Sequence, residues 1–382
     1  MAPYQFLVLE LKVLILMANL FIIHTPMQLF VAQQIICQES LSNNFMIYGY
    51  NGTRASYLQT YEIMEICSMW DGKYFLKDLS MWAAIGFGDM QSFRKVIQNF
   101  NFIKNIIKEK SVTKLFFGDI DNYSHLFGIL SLSKYVETYI FEEGSSHYTY
   151  KDHISDDNVF RNISSDILDY LFYLPFFHFR FKKYRRHQDV QNMKLPITGR
   201  YNILPDINNE DYDKTLFVRE LYSKKLREYL EIQINKIPSN KQRILLITND
   251  VYKGARESER YRIYLKTIND YIADIQKNSV LIIKMHPNEK NEKIRDLENM
   301  IKQYQLDYFI LSQDINIPVE YYLQSFKFDK IIHFMSSSIF YNGYIYPESE
   351  TINLFAGFYN SCVGEGIDMN NVYGLYRQCE KY

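Results

Sequence analysis

At four points in this 382-residue chain an apolar, strand-like run stops and polar residues able to do chemistry follow at once. "VETYIF" (136–141) gives way to Glu142, Glu143 and Gly144, and "SVLIIKM" (279–285) to His286 and Pro287. "KIIHFM" (330–335) leads into Ser336, Ser337 and Ser338, and "LFIIH" (20–24) into Thr25 and a helix that opens with Pro26 and carries Gln28. Adjacent carboxylates raise each other's pKa, which makes one of them a better general base. Strand alternation turns only one of two neighbours to a given face, and Gly144 lets the backbone turn close to a substrate. A protonated imidazole can give a proton or a hydrogen bond to a departing anion. Hydroxyls at a strand-to-helix junction, with the amides of the helix start, make a phosphate cradle. Asp250, in "ITNDVYKGARESER", ends a further strand and could serve as the base or assist it. Each motif alone has an ordinary structural reading as a turn, a locally satisfied histidine or an N-cap. Their joint arrangement, an acid pair early and an imidazole and hydroxyls late, is what suggests a base, an acid and an anion site.

The elements that must position them alternate regularly. Strand-like "LFIIHT" (20–25), "NFMIYGYN" (44–51), "KLFFGDI" (114–120) and "VETYIF" are separated by helical spacings such as "PMQLFVAQQIICQES" and "MQSFRKVIQNFNFIKNIIKEK". Pro26 suits a first helical turn. A polar stretch, "PDINNEDYDK" (205–214), precedes a second series with strands "RILLIT" (243–248), "SVLIIKMH" (279–286), "YFIL" (308–311) and "KIIHFMS" (330–336). Strand–helix alternation implies right-handed crossovers and parallel sheets. The expected fold class is therefore α/β, with two Rossmann-like domains, 1–195 and 196–382, facing across a central cleft. In doubly wound sheets ligands bind at the carboxyl ends of strands, where the four motifs lie. Thr25 and Gln28 fall on the first domain's side, taken as the acceptor side, and His286 and the serines on the second.

Composition narrows the partners. With 43 basic and 44 acidic residues and a formal net charge of −1, the chain has no global polyanion-binding character, and no nucleic-acid module is present. Aromatics are heavy at 16%, a bias that does not translate into function by itself. Cys37, Cys67, Cys362 and Cys379 lack metal-ligand spacing and read as reduced thiols in a cytosolic protein. "GDID" (118–121) reads as a loop, with no metal expected. The apolar start is broken by Glu10 and Lys12 and predicts neither a cleaved signal nor a stable membrane span; Met17 would also make a sensible start. "YLFYLPFFHFRFKKYRRHQ" (170–188) has basic and aromatic residues and no acidic one. It could meet an anionic membrane surface, or its rings could be covered by a partner in a homodimer.

"EEG" (142–144), "HP" (286–287) and "SSS" (336–338) resemble the short motifs shared by bacterial sialyltransferases, and "IIHTPMQLFVAQQII" is similar to the opening of glycosyltransferase family 52, the branch that sialylates lipooligosaccharide. The resemblance spans roughly residues 20 to 345; residues 1–16 precede it. It implies a GT-B architecture and an inverting transfer from CMP-sialic acid, without divalent metal, to a terminal galactose of a surface glycan, lipooligosaccharide or capsule, in an α2,3 linkage; the residues alone also leave open a GT-B transferase of another nucleotide-activated donor (a hexosyl or CDP-linked group) or a non-enzymatic membrane-associated scaffold. It also implies a place in the bacterial cytoplasm or on the inner face of the membrane. It puts the base on Glu142, with Glu143 and Asp250 as alternatives, and the acid on His286, oriented by Pro287. Ser336, Ser337 and Ser338 would hold the CMP phosphate, with Gly144 close to substrate. Glu320, in "IPVEYYL", would accept from the ribose hydroxyls, although an acidic residue at a helix start has its own electrostatic reason. Arg256 and Arg260 could meet the sugar carboxylate or lie on a solvated helix face. The partners implied are a nucleotide-sugar donor and a glycan acceptor.

Overall fold

Central strands of a parallel sheet are covered on both faces and so read as unbroken apolar runs. Two stretches here do so in full, and each lies at or next to the centre of its own sheet. A computed structural model of the chain describes residues 17–50, 63, 69–77, 90–118, 132, 135–142, 197–203, 213–216, 224–286, 289, 291–311, 317–334, 336 and 348–369.

The first sheet contains β1 (Ala18–Ile23), β2 (Asn44–Tyr50), β3 (Gly72–Lys77), β4 (Val112–Phe117), β5 (Glu137–Phe141), β6 (Gly199–Asn202) and β7 (Asp213–Thr215). Its order is β3-β2-β1-β4-β5-β6-β7, every described pair parallel. All six residues of β1 are buried. Helix α1 (Pro26–Gln38) follows it directly, and α2 (Met90–Glu109) precedes β4. Leu20 and Ile22 of β1, Ile47, Leu115, Phe117 and Ile140 point to one face, packed with Ile103 and Ile106 of α2. The alternate residues build a ladder of rings on the other face. Phe21 stacks on Phe116 with centroids 4.3 Å apart, and Phe116 on Tyr139 at 4.9 Å. Part of the heavy aromatic composition is thus cross-strand packing, in which neighbouring rings add to plain burial.

The second sheet contains β8 (Gln242–Ile247), β9 (Ser279–Lys284), β10 (Asp307–Ile310), β11 (Lys330–His333) and β12 (Glu350–Asn353), in the order β10-β9-β8-β11-β12 and again parallel. All six residues of β9 are buried. Its helices are α3 (Lys224–Ile234), α4 (Glu257–Ile272), α5 (Asn291–Lys302), α6 (Val319–Ser325) and α7 (Phe355–Gly364). Leu246, Ile283, Ile332 and Phe334 pack with Tyr264 and Ile268 of α4 and Phe358 of α7. Among the described residues no helix is long and apolar enough to cross a membrane.

Both sheets begin in the middle, wind outward, and then reverse, the doubly wound order. In such sheets a ligand is expected at the reversal point, which is the carboxyl ends of β1 and β4 in one sheet and of β8 and β11 in the other. The last crossing from the first compact unit to the second falls after Leu216, where the sequence reading sets the domains at 1–195 and 196–382. The reason is β6 and β7, four and three residues long, which pair onto β5 and extend the first sheet. The strands on either side of the polar stretch, β6 and β7, therefore both belong to the first sheet.

At the first reversal point, Gln28 of α1 ties two strands together. Its Oε1 accepts from the His24 amide at 2.5 Å, and its Nε2 donates to the Gly118 carbonyl at 2.8 Å. A Cβ at Gly118 would lie 2.6 Å from Gln28 Cδ. The glutamine is fully buried and held at both amide ends, so it has no low-cost way to retreat. Gly118→Ala should therefore destabilise the protein by about 1–3 kcal/mol, measured as a lower urea midpoint at constant slope. An unchanged midpoint would show that the Gln28 bridge does not constrain the fold.

Candidate active site

In the first unit the candidate groups sit where β1, β4 and β5 end. Thr25 caps α1, its hydroxyl accepting from the Gln28 amide at 3.1 Å. Of the expected acceptor-side pair, then, Thr25 starts the helix and Gln28 bridges β1 to β4. His24, which the sequence reading passed over, puts Nδ1 at 3.0 Å from the Gly49 carbonyl; as that oxygen only accepts, Nδ1 carries the proton. Burial pushes the ring's pKa down to about 4, against the opposing effect of the Gly49 hydrogen bond, so the ring is neutral at pH 7.

Glu142 follows β5 with no exposed surface. Its amide donates to the Tyr201 carbonyl at 3.1 Å, continuing the ladder toward β6. Its Oε2 accepts from the Ile203 amide at 2.6 Å. The carboxylate thus closes the β5–β6 pair one step beyond the regular ladder, which fixes its orientation. Glu143, Gly144, Pro287, Ser337 and Ser338 lie outside the described residues, as do Asp119, Asp121 and the whole 170–188 segment.

The second unit holds a denser group. His286 stands two residues beyond β9, and its amide donates to the Thr248 hydroxyl at the end of β8, 2.7 Å away. Its Nδ1 lies 3.9 Å from Asp250 Oδ2, with the two side chains 28% and 30% exposed. Asp250 is also paired with Lys253 at 2.9 Å. Two residues before His286, Lys284 is buried and its Nζ lies 3.4 Å from the Met285 carbonyl. Burial lowers the pKa of Lys284 to about 8, while Glu320 in the first turn of α6 pulls it back up. Glu320 is itself buried, so a helix-start carboxylate faces a buried cation here. The pKa of His286 is lowered: burial comes first, and Lys253 and Lys284 add to it, while Asp250 opposes.

At the second reversal point, His333 ends β11 and accepts from the Ser336 amide at Nδ1, 3.4 Å away. That bond puts the ring proton on Nε2. The ring is 4% exposed, and burial drives its pKa down to about 4. The first of the three serines is therefore held by a neutral histidine. Arg260 does not lie on a solvated face: it is 1% exposed and donates to the carbonyls of Lys253, at 3.1 Å, and Asp368. Arg256 pairs with Glu259 and donates to the Gly366 carbonyl at 3.1 Å.

The structure thus brings Asp250, His286 and Lys253 together in one unit, links Glu320 to that group through Lys284, and sets Glu142 in the other unit. The sequence reading missed Lys284, Lys253, Thr248 and His333. A lysine closing an apolar strand two residues before a histidine, as in "LIIKMH", was the signal available for Lys284.

Two Rossmann-like units in one chain define a GT-B fold, and the comparisons with known proteins agree. The chain is similar to the structure of a sialyltransferase from Photobacterium damselae, its residues 113–497 that correspond to the GT-B domain: 14% identity, 88% of this chain and 89% of that one, TM-score 0.50. Acinetobacter baumannii MurG is similar over 85% of this chain and 74% of its own, at 9% identity and TM-score 0.41. The Methanocaldococcus jannaschii UDP-GlcNAc 2-epimerase, solved with UDP-GlcNAc and UDP, is similar over 84% and 80%, at 13% identity and TM-score 0.41. No curated protein matches the chain by sequence. The family model for alpha-2,8-polysialyltransferase (POLYST) matches residues 19–354, and the chain belongs to that family. The expectation of a sialyltransferase holds at the level of the class.

The neutral His333 makes a pH prediction. Its folded pKa of about 4 lies below the ordinary 6.5, so the unfolded chain binds the extra proton in between. Its contribution is complete above pH 6.5 and is lost as pH falls toward 4, at about 1.4 kcal/mol per pH unit for one such group. His333→Asn, which keeps an acceptor for Ser336, should unfold in urea with a shallower loss over that window. A slope equal to wild type would refute the neutral assignment.

Proposed function

We propose that this chain is an inverting sialyltransferase that uses CMP-sialic acid, without a divalent metal, to extend a bacterial surface glycan. One observation carries the reading: in a chain of a sialyltransferase family, His286 stands beside Asp250 at the carboxyl end of a central strand, at the end of the sheet where such folds receive anions. In this reading Glu142 takes the acceptor's proton as its oxygen attacks the anomeric carbon. The Ile203 amide holds the Oε2 of Glu142 and so orients the carboxylate. His286 donates to the departing phosphate, where negative charge develops. Pro287 sets its turn and Gly144 allows close approach on the base side. Ser336, Ser337 and Ser338 bind phosphate oxygens. Glu320 accepts from the ribose. Lysines and the imidazole supply the positive charge that a metal would otherwise bring. Asp250, paired with both His286 and Lys253, fits a role beside the acid better than one as base, which leaves Glu143 as the alternative base.

Two acceptors are supported by different observations. The family match favours a terminal sialic acid and an α2,8 linkage. The similarity of the opening segment and the short motifs to glycosyltransferase family 52 favours a terminal galactose and an α2,3 linkage. The basic, aromatic 170–188 segment fits contact with the inner face of the cytoplasmic membrane or a second copy of the chain.

Incubation with CMP-sialic acid should release CMP with either an oligosialic or a lactose-type acceptor, undiminished by a chelator, and product linkage analysis decides between the two. No release with any acceptor would defeat the proposal. Glu142→Gln and His286→Ala should each lower kcat by about 100-fold or more with the urea midpoint retained. Full activity in Glu142→Gln with loss in Glu143→Gln would move the base by one residue.

A further inference from the structure

The turn after β8 carries Lys253, a cation for which the reading above names no ligand. Lys253 and Asp250 meet across that turn, Nζ to Oδ2 at 2.9 Å, and the Lys253 amide donates to the Asp250 carbonyl at 2.9 Å. Their side chains are 39% and 30% exposed, and the same Oδ2 lies 3.9 Å from Nδ1 of His286. Three contacts fix the turn. Buried Arg260 holds the Lys253 carbonyl at 3.1 Å, Tyr252 donates from its hydroxyl to Glu289 at 2.8 Å, and the Thr248 hydroxyl holds the His286 amide at 2.7 Å. An ammonium, a carboxylate and an imidazole are therefore set on fixed backbone at the carboxyl ends of adjacent strands β8 and β9.

One carboxylate oxygen does not serve two cations equally. At 2.9 Å it is hydrogen-bonded to Lys253, and at 3.9 Å it gives His286 only attraction through space. A phosphate arriving beside the pair changes this competition. An ammonium on a flexible stem has three donors and can turn to the new anion, and Asp250 is then left to the imidazole.

We propose that Lys253 is a ligand of the donor's phosphate, and that its move from Asp250 to the phosphate hands that carboxylate to His286. The inference rests on the reading of the chain as the user of a CMP-linked donor. The bond between the phosphate oxygen and the anomeric carbon breaks, and His286 gives its proton to the phosphate. The acceptor oxygen forms the new bond to that carbon and yields its proton to Glu142. Lys253 touches substrate, whereas Asp250 acts through His286 as a positioning residue. Among the described residues the charges that act on His286 are Asp250 and Lys253 from the turn after β8 and Lys284 on its own strand, with Glu320 of α6 acting in turn on Lys284; Glu289 follows in the next turn, its amide donating to the His286 carbonyl. The partner exchange involves Asp250 and Lys253.

Calorimetric titration of the full chain with CMP and with cytidine tests the first half. Lys253→Ala should weaken CMP binding about tenfold or more, as loss of a charge-assisted hydrogen bond does. Cytidine binding should be unchanged, and Lys253→Arg should restore most of the loss. The second half is read from kcat against pH: Asp250→Asn should move the alkaline limb to lower pH without weakening CMP. Wild-type CMP affinity in Lys253→Ala, an equal loss for cytidine, or an unshifted limb in Asp250→Asn each overturns the inference while the donor reading stands. If the wild-type chain binds CMP no better than cytidine, the donor reading fails and this inference fails with it.

Discussion

Where a parallel ladder stops, the last amides and carbonyls still need partners, and in a buried strand end water cannot supply them. This constraint runs through the whole molecule. Gln28 answers it between β1 and β4, Glu142 between β5 and β6, Thr248 between β8 and β9, and His333 after β11. A buried donor left unmet costs about 1–3 kcal/mol, against a total stability of about 5–15 kcal/mol for a typical domain. Polar side chains at these positions are thus required by the fold before any chemistry is asked of them. The same requirement gathers polar groups at the carboxyl ends of the strands, the side of the sheet where ligands bind.

The two units meet that requirement with different charge. In the first, the strand ends carry a neutral imidazole, an amide and one carboxylate. In the second, buried Lys284 and half-exposed Lys253 stand around His286, opposed by Asp250 and by buried Glu320. Positive charge at the end of β9 costs desolvation, which is why Lys284 and His286 both lose proton affinity. An anion bound beside these cations would offset part of that cost, which is the electrostatic side of the phosphate site proposed above. The first unit has no comparable group of cations among its described strand ends, which suits an uncharged hydroxyl there.

The central strands and their helices were legible because burial on both faces writes an unmistakable apolar run, as in "ANLFII" and "SVLIIK". Four strands were not. "GKYFLK", "GRYN", "DKT" and "ETIN" lie away from the sheet centres, where one neighbour is missing or short and composition need not be apolar. Two of them, β6 and β7, lie beyond residue 195 and still pair onto the first sheet. Helix α7, "FAGFYNSCVG", escaped because two glycines and few charges obscure a helical stripe. At the site, His286 and Asp250 were legible since both interrupt or end apolar runs. Lys284, Thr248 and His333 were absorbed into strands by the same rule, because a strand-end residue bonded to backbone looks, in sequence, like the strand's last residue. Gln28 was read as facing an acceptor, and only coordinates reveal that its amide joins two strands.

Glu142 concentrates the consequence of these shared duties. A carboxylate that accepts from the Ile203 amide has one oxygen fixed in direction, so the direction of the other follows from covalent geometry. For a general base this is preorganisation obtained from the fold itself, with no reorganisation left for the moment of proton transfer. The cost is a polar group with no exposed surface, which the sheet tolerates because a backbone donor meets it at 2.6 Å. The acidic residue after "ETYIF" is therefore constrained twice, once by the end of the β5–β6 ladder and once by the chemistry proposed for it.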